Sequence, residues 1–175
     1  MLHIANTHFE WELEQKILPP LEHSFHGPSL QLQFLPFVYK KETDLMAVSC
    51  KTELESPSIV SFTENTLPSA SPIESWAPSL MIKQWADRKR LKYDIPEWDV
   101  VKQVNSKQFS FLHSPRLKGA SLLFSEKEVL DWLRHHPEKT VLKTCFGVAG
   151  KGHLHLPEKR EQLSSFLANQ FSKNL

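Results

Sequence analysis

The sequence predicts an α/β protein of one domain plus part of a second. Apolar stretches of strand length, the first at 2–5, alternate with stretches whose apolar residues recur every three or four positions. The second half is ordered helix, strand, helix, strand, a glycine-rich loop, strand and helix. Apolar residues make up 40% and charged residues 23% of the 175 positions, as in a globular chain rather than a disordered one.

Charge and composition exclude several functional classes. A net charge of +1 argues against nucleic-acid binding, because the basic residues of 83–92 are followed by the acidic Asp94 and Glu97. No stretch approaches the roughly 18 apolar residues that span a bilayer, and the N-terminus lacks a secretion signal. Cys50 and Cys145 are too far apart to suggest a disulfide framework or a metal site. We therefore expect a cytoplasmic protein that binds neither nucleic acid nor membrane.

A helix is predicted directly after the first strand. Phe9, Leu13 and Ile17 lie four positions apart, and glutamates occupy most positions between them. Asn6 or Thr7 is expected to cap this helix, because short polar side chains accept hydrogen bonds from the first free backbone N–H groups.

Two further strands are predicted before an irregular segment. Residues 30–39 begin with leucine and phenylalanine alternating with glutamine, which favours a half-buried strand that bends at Pro36. Residues 44–50 are a second apolar run, and the two runs form a candidate hairpin. Residues 53–78 are rich in serine, threonine and proline, which predicts an irregular connection with one short strand at 59–62.

The middle of the chain predicts two helices. Residues 79–90 place apolar side chains at helical spacing and basic side chains in the last turn, where they complement the helix dipole. Residues 98–104 are apolar enough to lead into the core. Asn105 and Ser106 then offer a cap for a short helix that ends before Pro115.

A strand, a helix and a second strand are predicted next. Residues 120–124 are an apolar run of strand length. Ser125 and Glu128 have the spacing of a capping box, which indicates the start of a helix. Residues 140–142 form the strand that leads to Lys143.

The glycine loop, residues 147–152, is the most distinctive feature of the chain. Glycine occurs only 5 times in 175 residues. Three of these glycines fall within the loop: Gly147, Gly150 and Gly152. Clustered glycines permit positive φ or the close approach of another group. With Lys143 before the loop and Lys151 within it, backbone N–H and ammonium groups suit a polyphosphate. The alternative is an ordinary strand-to-strand turn with surface lysines.

The residues after the glycine loop separate it from two common phosphate motifs. Residues 153–156 alternate histidine and leucine and predict a return strand, whereas a P-loop ends in Gly-Lys-Ser/Thr and opens a helix. The order of the glycines also differs from the dinucleotide fingerprint, which disfavours a nicotinamide-dependent enzyme. Pro157 is expected at the first position of a last helix, whose apolar face lies between 163 and 171.

The segment from 104 to 175 resembles the ATP-grasp superfamily of ATP-dependent ligases. The resemblance is carried by four motifs: V-N-S-K at 104–107, A-S-L-L-F at 120–124, V-L-K-T at 141–144 and F-G-V-A-G-K-G-H at 146–153. It implies that Lys107 and Lys143 contact nucleotide phosphates. It also implies a loop that folds over the β- and γ-phosphates, with the residues Gly147, Gly150, Lys151 and Gly152. Ser106 departs from the family pattern, which usually places an acidic residue there.

The resemblance also implies an architecture and an activity. Residues 1–103 would form a Rossmann-like pre-ATP-grasp domain, and 104–175 the first nucleotide-binding subdomain of a partial ATP-grasp α+β lobe. The second lobe, which binds Mg²⁺ through an E-x-N pattern, has no counterpart in the sequence. We therefore expect a truncated ligase-like protein, at most a weak ATP binder without catalytic residues. Only its full form would activate a carboxylate as acyl phosphate with ATP and Mg²⁺. The chain would be a fragment, a shortened protein or a subunit that another chain completes.

A non-catalytic interaction module is the alternative function. Without the second lobe, the apolar faces of 153–171 would be partly uncovered, and such patches bind partners. A homo-oligomer or a completing subunit is then expected. His135 and His136 are adjacent and therefore diverge on a helix, and His153 and His155 share one face of a strand without a third ligand nearby. We interpret them as structural or surface residues and predict no metal site.

Overall fold

The computed structural model describes residues 1–49, 56–63, 67, 72–147 and 152–171. They form two compact units, Met1–Lys102 and Gln103–Leu175. The prediction of a mixed α/β fold is confirmed. Within the described ranges, no helix combines the length and the apolar character needed to cross a membrane.

Both units contain helices and strands. The strands are β1 (Leu2–Ile4), β2 (Leu45–Val48), β3 (Ile59–Ser61), β4 (Ile73–Ser75), β5 (Thr140–Lys143) and β6 (His153–Leu156). The α-helices are α1 (Phe9–Glu14), α2 (Pro28–Leu32), α3 (Leu80–Arg88), α4 (Trp98–Val104), α5 (Lys107–His113), α6 (Glu126–His135) and α7 (Leu163–Phe171). Short 3₁₀ turns occur at Leu21–His23, Leu35–Val38 and Arg160–Gln162.

The first unit is built on a parallel sheet with the strand order β3-β2-β1-β4. Leu2 pairs with Leu45 of β2 on one side and with Ile73 of β4 on the other. The candidate hairpin between 30–39 and 44–50 is wrong, because β1 and β3, the two neighbours of β2 in the sheet, are both parallel to it, and a tight turn cannot connect parallel strands. Strand β4 lies in the segment that the sequence predicts to be irregular.

Aromatic packing fills the core of the first unit. The rings of Phe62 and Trp85 are 5.2 Å apart in an edge-to-face arrangement, and Phe25 stacks on Phe62 at 5.5 Å. The Trp85 indole donates a hydrogen bond to the Phe62 carbonyl at 3.1 Å, which satisfies its one polar atom in the core. Helix α3 supplies Trp85. It begins at the N-cap Ser79, whose hydroxyl accepts from the Ile82 N–H.

The predicted strand over 30–39 is wrong, because these residues form α2 and a 3₁₀ turn. Proline is well suited to the first helical position, and here Pro28 follows Gly27, whose φ is +50°. Leu30 and Phe34 lie four positions apart as well as on alternate positions. A short alternating run therefore does not distinguish a strand from a helical turn.

Helix α1 differs from its prediction at both ends. Its N-cap is His8, which forms no capping hydrogen bond through its side chain. Asn6 instead accepts from the Ala77 N–H at 3.1 Å and donates to the Ala77 carbonyl at 3.0 Å, so it connects the chain after β1 with the chain after β4. The helix ends at Glu14, and Ile17 is 87% exposed.

Two buried polar side chains in the segment after β1, those of His8 and Glu12, have hydrogen-bond partners. The Glu12 carboxylate accepts from the Ser79 hydroxyl at 2.7 Å and from the Met81 N–H at 2.9 Å, at the start of α3. Burial raises the pKa of Glu12, although these hydrogen bonds act in the opposite direction. His8 Nε2 lies 3.1 Å from the Ser24 hydroxyl, which itself donates to the Leu21 carbonyl. The proton between them therefore belongs to Nε2 of His8.

The second unit packs an antiparallel ribbon, β5 and β6, against α6 and α7. Among the described residues, its buried apolar side chains are Val129, Leu154, Leu156, Leu163 and Leu167. Phe166 and Phe171 are half-buried, but the expectation of partly uncovered apolar faces over 153–171 is wrong for the four leucines. They are covered within the unit itself.

Two local predictions in the second unit are also wrong. Residues 120–124 form no strand, and Phe124, at 62% exposure, donates its N–H to Glu128 Oε2 at 2.7 Å. Glu128 in turn donates its N–H to the Ser125 hydroxyl at 3.2 Å, so the predicted capping at the start of α6 is confirmed. Pro157 does not open a helix. A 3₁₀ turn follows it, and α7 begins only at Leu163.

Candidate functional site

The candidate site is organised by the pairing of β5 with β6. Lys143 ends β5 and lies directly opposite His153, the first residue of β6. Leu154 and Leu156 are buried, so His153 and His155 belong to the other face of the ribbon. Directly opposed residues in an antiparallel pair place their side chains on one face, which brings the side chains of Lys143 and His153 together.

Hydrogen bonding and backbone geometry define the ends of the glycine loop. The Thr144 N–H donates to the Gly152 carbonyl at 2.8 Å, immediately beyond the pair of Lys143 and His153. Gly147 and Gly152 have φ values of +108° and +69°, which favour glycine. A Cβ on Gly152 would lie 2.1 Å from Thr144 Oγ1, so no larger residue fits there without displacement. Gly150 and Lys151 lie outside the described residues, and their predicted roles stay predictions.

Lys107 attaches the start of α5 to the chain that follows β5. Its N–H donates to the Cys145 carbonyl at 2.8 Å, and its ammonium group donates to the Gly147 carbonyl at 2.8 Å. The preceding residue is the N-cap Ser106, whose hydroxyl accepts from the Phe109 N–H at 3.0 Å and donates to the Gln103 carbonyl at 2.7 Å. The cap predicted from the sequence therefore holds Lys107 beside the glycine loop.

The electrostatic character of this face is positive. Burial and the ammonium groups of Lys143 and Lys107, together with His155, lower the pKa of His153. Both lysines are thus close enough to one imidazole to disfavour its protonation. In the part of the second unit that the structure describes, ion pairs join two pairs of residues, Arg134 with Asp131 and Lys139 with Glu158. Neither Lys107 nor Lys143 belongs to such a pair, so no carboxylate among the described residues neutralises their charge.

The structure collects four of the predicted site residues around the ends of one loop: Lys107, Lys143, Gly147 and Gly152. The sequence analysis missed His153 and Thr144 as members of this site. Alternation predicts the strand that contains His153, but only the observed register places it opposite Lys143. No local signal marks Thr144 either, since its N–H reaches the Gly152 carbonyl across the ribbon.

The arrangement offers ammonium and imidazole groups to an anion. Among the described residues, no group of three His, Cys, Asp or Glu side chains lies close enough to hold a metal ion. No family model matches the chain, and neither a curated protein nor a solved structure matches it.

Proposed function

We propose that the second unit binds the polyphosphate chain of a nucleotide such as ATP. The observation that carries this proposal is the pair of lysines, Lys107 and Lys143, which flank the glycine loop without a carboxylate partner among the described residues. Ammonium groups form strong charge-assisted hydrogen bonds with phosphate oxygens. The positive φ values of Gly147 and Gly152 are typical of tightly turning backbone, which also permits the close approach of a ligand.

The same proposal includes kinship with the ATP-grasp ligases. It is supported by the order of elements in the second unit, where α5 contributes one lysine and a strand before a glycine loop contributes the other. In the first unit, the parallel order β3-β2-β1-β4 also matches the first four strands of the order 3-2-1-4-5-6 of a doubly wound nucleotide-binding sheet. On this proposal, the first unit is a Rossmann-like pre-ATP-grasp domain and the second a partial ATP-grasp lobe.

Chemistry is proposed only for a complete form of such a protein. That form would transfer the γ-phosphoryl group of ATP to a carboxylate and pass the acyl group to a nucleophile. Catalysis would come from positioning and from neutralising phosphoryl charge. The described residues of this chain do not assemble ligands for Mg²⁺, which prefers oxygen ligands in an octahedral arrangement. We therefore assign no catalytic residue, and we propose weak nucleotide binding at most.

Calorimetric titration with ATP tests the proposal. The Lys143→Ala variant should bind ATP about tenfold more weakly, the loss expected when one hydrogen bond to a charged group is removed. Lys127→Ala, which removes an exposed lysine of α6, should bind like the unmodified protein. Affinity should decrease from ATP to ADP to AMP, because the phosphates supply the contacts. Equal heats for the unmodified protein and Lys143→Ala would exclude Lys143 from nucleotide binding.

A second candidate function is that of an interaction module or a subunit completed by another chain. It is favoured by two apolar side chains between α5 and α6, Leu117 at 82% exposure and Phe124 at 62%. Exposed apolar surface of this kind is often covered by a partner. Light scattering distinguishes the candidates: a stable dimer at micromolar concentration supports the interaction module, and a monomer that binds ATP contradicts it.

A further inference from the structure

We propose that His153 is a third phosphate-binding residue of this site and that it takes up a proton when a polyphosphate binds. This inference rests on the proposed nucleotide binding, and it adds a residue that neither the glycine pattern nor the lysine positions indicate.

The position of His153 opposite Lys143 supports the inference. His153 is the first residue of β6 after the glycine loop, and its backbone pairs with that of Lys143. The hydrogen bond from the Thr144 N–H to the Gly152 carbonyl, at 2.8 Å, closes the ribbon immediately beyond this pair. An anion held by Lys143 at the entrance of the loop would therefore lie beside the imidazole of His153.

The charges around His153 also support the inference. Among the described residues, the titratable groups that act on its ring are Lys143 on β5, Lys107 on α5 and His155 on β6. Burial first, and then these three groups, favour the neutral ring and lower the pKa of His153. A polyphosphate brings several negative charges to the same place, and a nearby opposite charge favours the protonated form. Binding should therefore reverse the local field that keeps the imidazole neutral.

Protonation also changes what the ring can donate. A neutral imidazole has one N–H donor and one acceptor nitrogen, whereas the imidazolium has two donors. A phosphate oxygen accepts hydrogen bonds, so the acceptor nitrogen would repel it and the second N–H would bind it. Proton uptake and phosphate binding are thus linked, and the contribution of His153 to affinity decreases as the pH rises through the usual histidine range.

Calorimetric titration with ATP in two buffers of different ionisation enthalpy measures the number of protons taken up. At pH 6.5 the unmodified protein should take up more protons than His153→Asn. Protons taken up by ATP itself contribute equally to both titrations, so they cancel when the two values are subtracted. At pH 6, His153→Asn should bind ATP about fivefold more weakly, because a rise of one unit in the pKa of His153 on binding corresponds to at most a tenfold gain in affinity. At pH 8 the two proteins should bind ATP alike. The matched control is His155→Asn, which removes the neighbouring imidazole on the same face and should retain the uptake.

The outcomes separate this inference from the proposed function. If ATP binds but His153→Asn shows the same proton uptake and pH dependence, the role of His153 is overturned and nucleotide binding stands. If His155→Asn loses the uptake instead, the inference is also overturned. If the unmodified protein fails to bind ATP, both proposals fail.

A second measurement does not depend on the variant folding. The C2 proton of His153, followed by NMR during a pH titration, should report a higher pKa in the presence of inorganic tripolyphosphate than in its absence. An unchanged pKa at saturating tripolyphosphate would overturn the inference.

Discussion

The ammonium group of Lys107 donates a hydrogen bond to the carbonyl of Gly147 at 2.8 Å, across 40 positions of the sequence. The backbone N–H of the same lysine binds the Cys145 carbonyl, also at 2.8 Å. One residue therefore joins the start of α5 to the chain that leaves β5 through two hydrogen bonds. In the proposed site, Lys107 both positions the glycine loop and contributes charge to it.

Lys107→Met should destabilise the protein by about 1 kcal/mol, because it removes the bond between the ammonium group and the carbonyl while keeping a side chain of similar length. The backbone hydrogen bond to Cys145 remains. Urea unfolding followed by circular dichroism measures the change. Lys127→Met, on the exposed side of α6, is the control and should unfold like the unmodified protein. Equal destabilisation by both variants would argue against the contact with Gly147.

The two N-caps of the second unit should have different functional effects. Ser106→Ala and Ser125→Ala each remove a capping hydroxyl, and each should lower the free energy of unfolding by about 1 kcal/mol. Only Ser106 precedes Lys107, so only Ser106→Ala should also weaken ATP binding. Thermal unfolding and ATP titration of both variants test this, and equal affinities would mean that the cap does not position Lys107.

Gly152→Ala should destabilise the protein more than Gly119→Ala does. Both glycines have positive φ, +69° and +83°, so alanine is strained at either position by about 1–2 kcal/mol. An added Cβ at Gly152 would also lie 2.1 Å from Thr144 Oγ1, whereas at Gly119 no atom lies within 4 Å. The added overlap should contribute about 1–3 kcal/mol more. Denaturant unfolding of the two variants gives the order, and equal effects would contradict the close approach of Thr144 to Gly152.

Stability should decrease between pH 6.5 and pH 4 because of His8. The side chain is only 9% exposed, and burial together with His26 lowers its pKa from 6.5 to about 4. The folded protein keeps the ring neutral in this range while the unfolded chain binds a proton. The stabilisation is therefore complete above pH 6.5 and is lost as the pH falls towards 4, by about 3 kcal/mol in total.

His8→Gln tests this expectation, since glutamine does not titrate. The free energy of unfolding of the variant should be lower at pH 7 and should change less between pH 6.5 and pH 4. The raised pKa of Glu12 has the opposite effect, because its neutral form is favoured at low pH and that stabilisation is lost as the pH rises. Glu12 is present in both proteins, so its effect cancels in the difference. Parallel pH profiles would show that His8 does not titrate as expected.

Most of the incorrect predictions from sequence concern segments whose structure depends on neighbours that are distant along the chain. The strand over 30–39, the hairpin with 44–50 and the strand at 120–124 each follow from a short apolar pattern. Such a pattern shows that a segment has apolar residues, but the neighbours that cover it lie far away in sequence. Strand β4 shows the converse, since it carries little local signal and becomes a strand through pairing with β1.

The sequence alone determined the elements whose signals lie within a few residues. Caps at Ser106 and Ser125 bind N–H groups three positions onward, and alternation in β6 separates buried leucines from the histidines of the other face. Only the tertiary structure decided that Lys143 faces His153 and that Lys107 reaches Gly147. Strand register and contacts across 40 residues depend on how the whole unit packs, so no local pattern contains them.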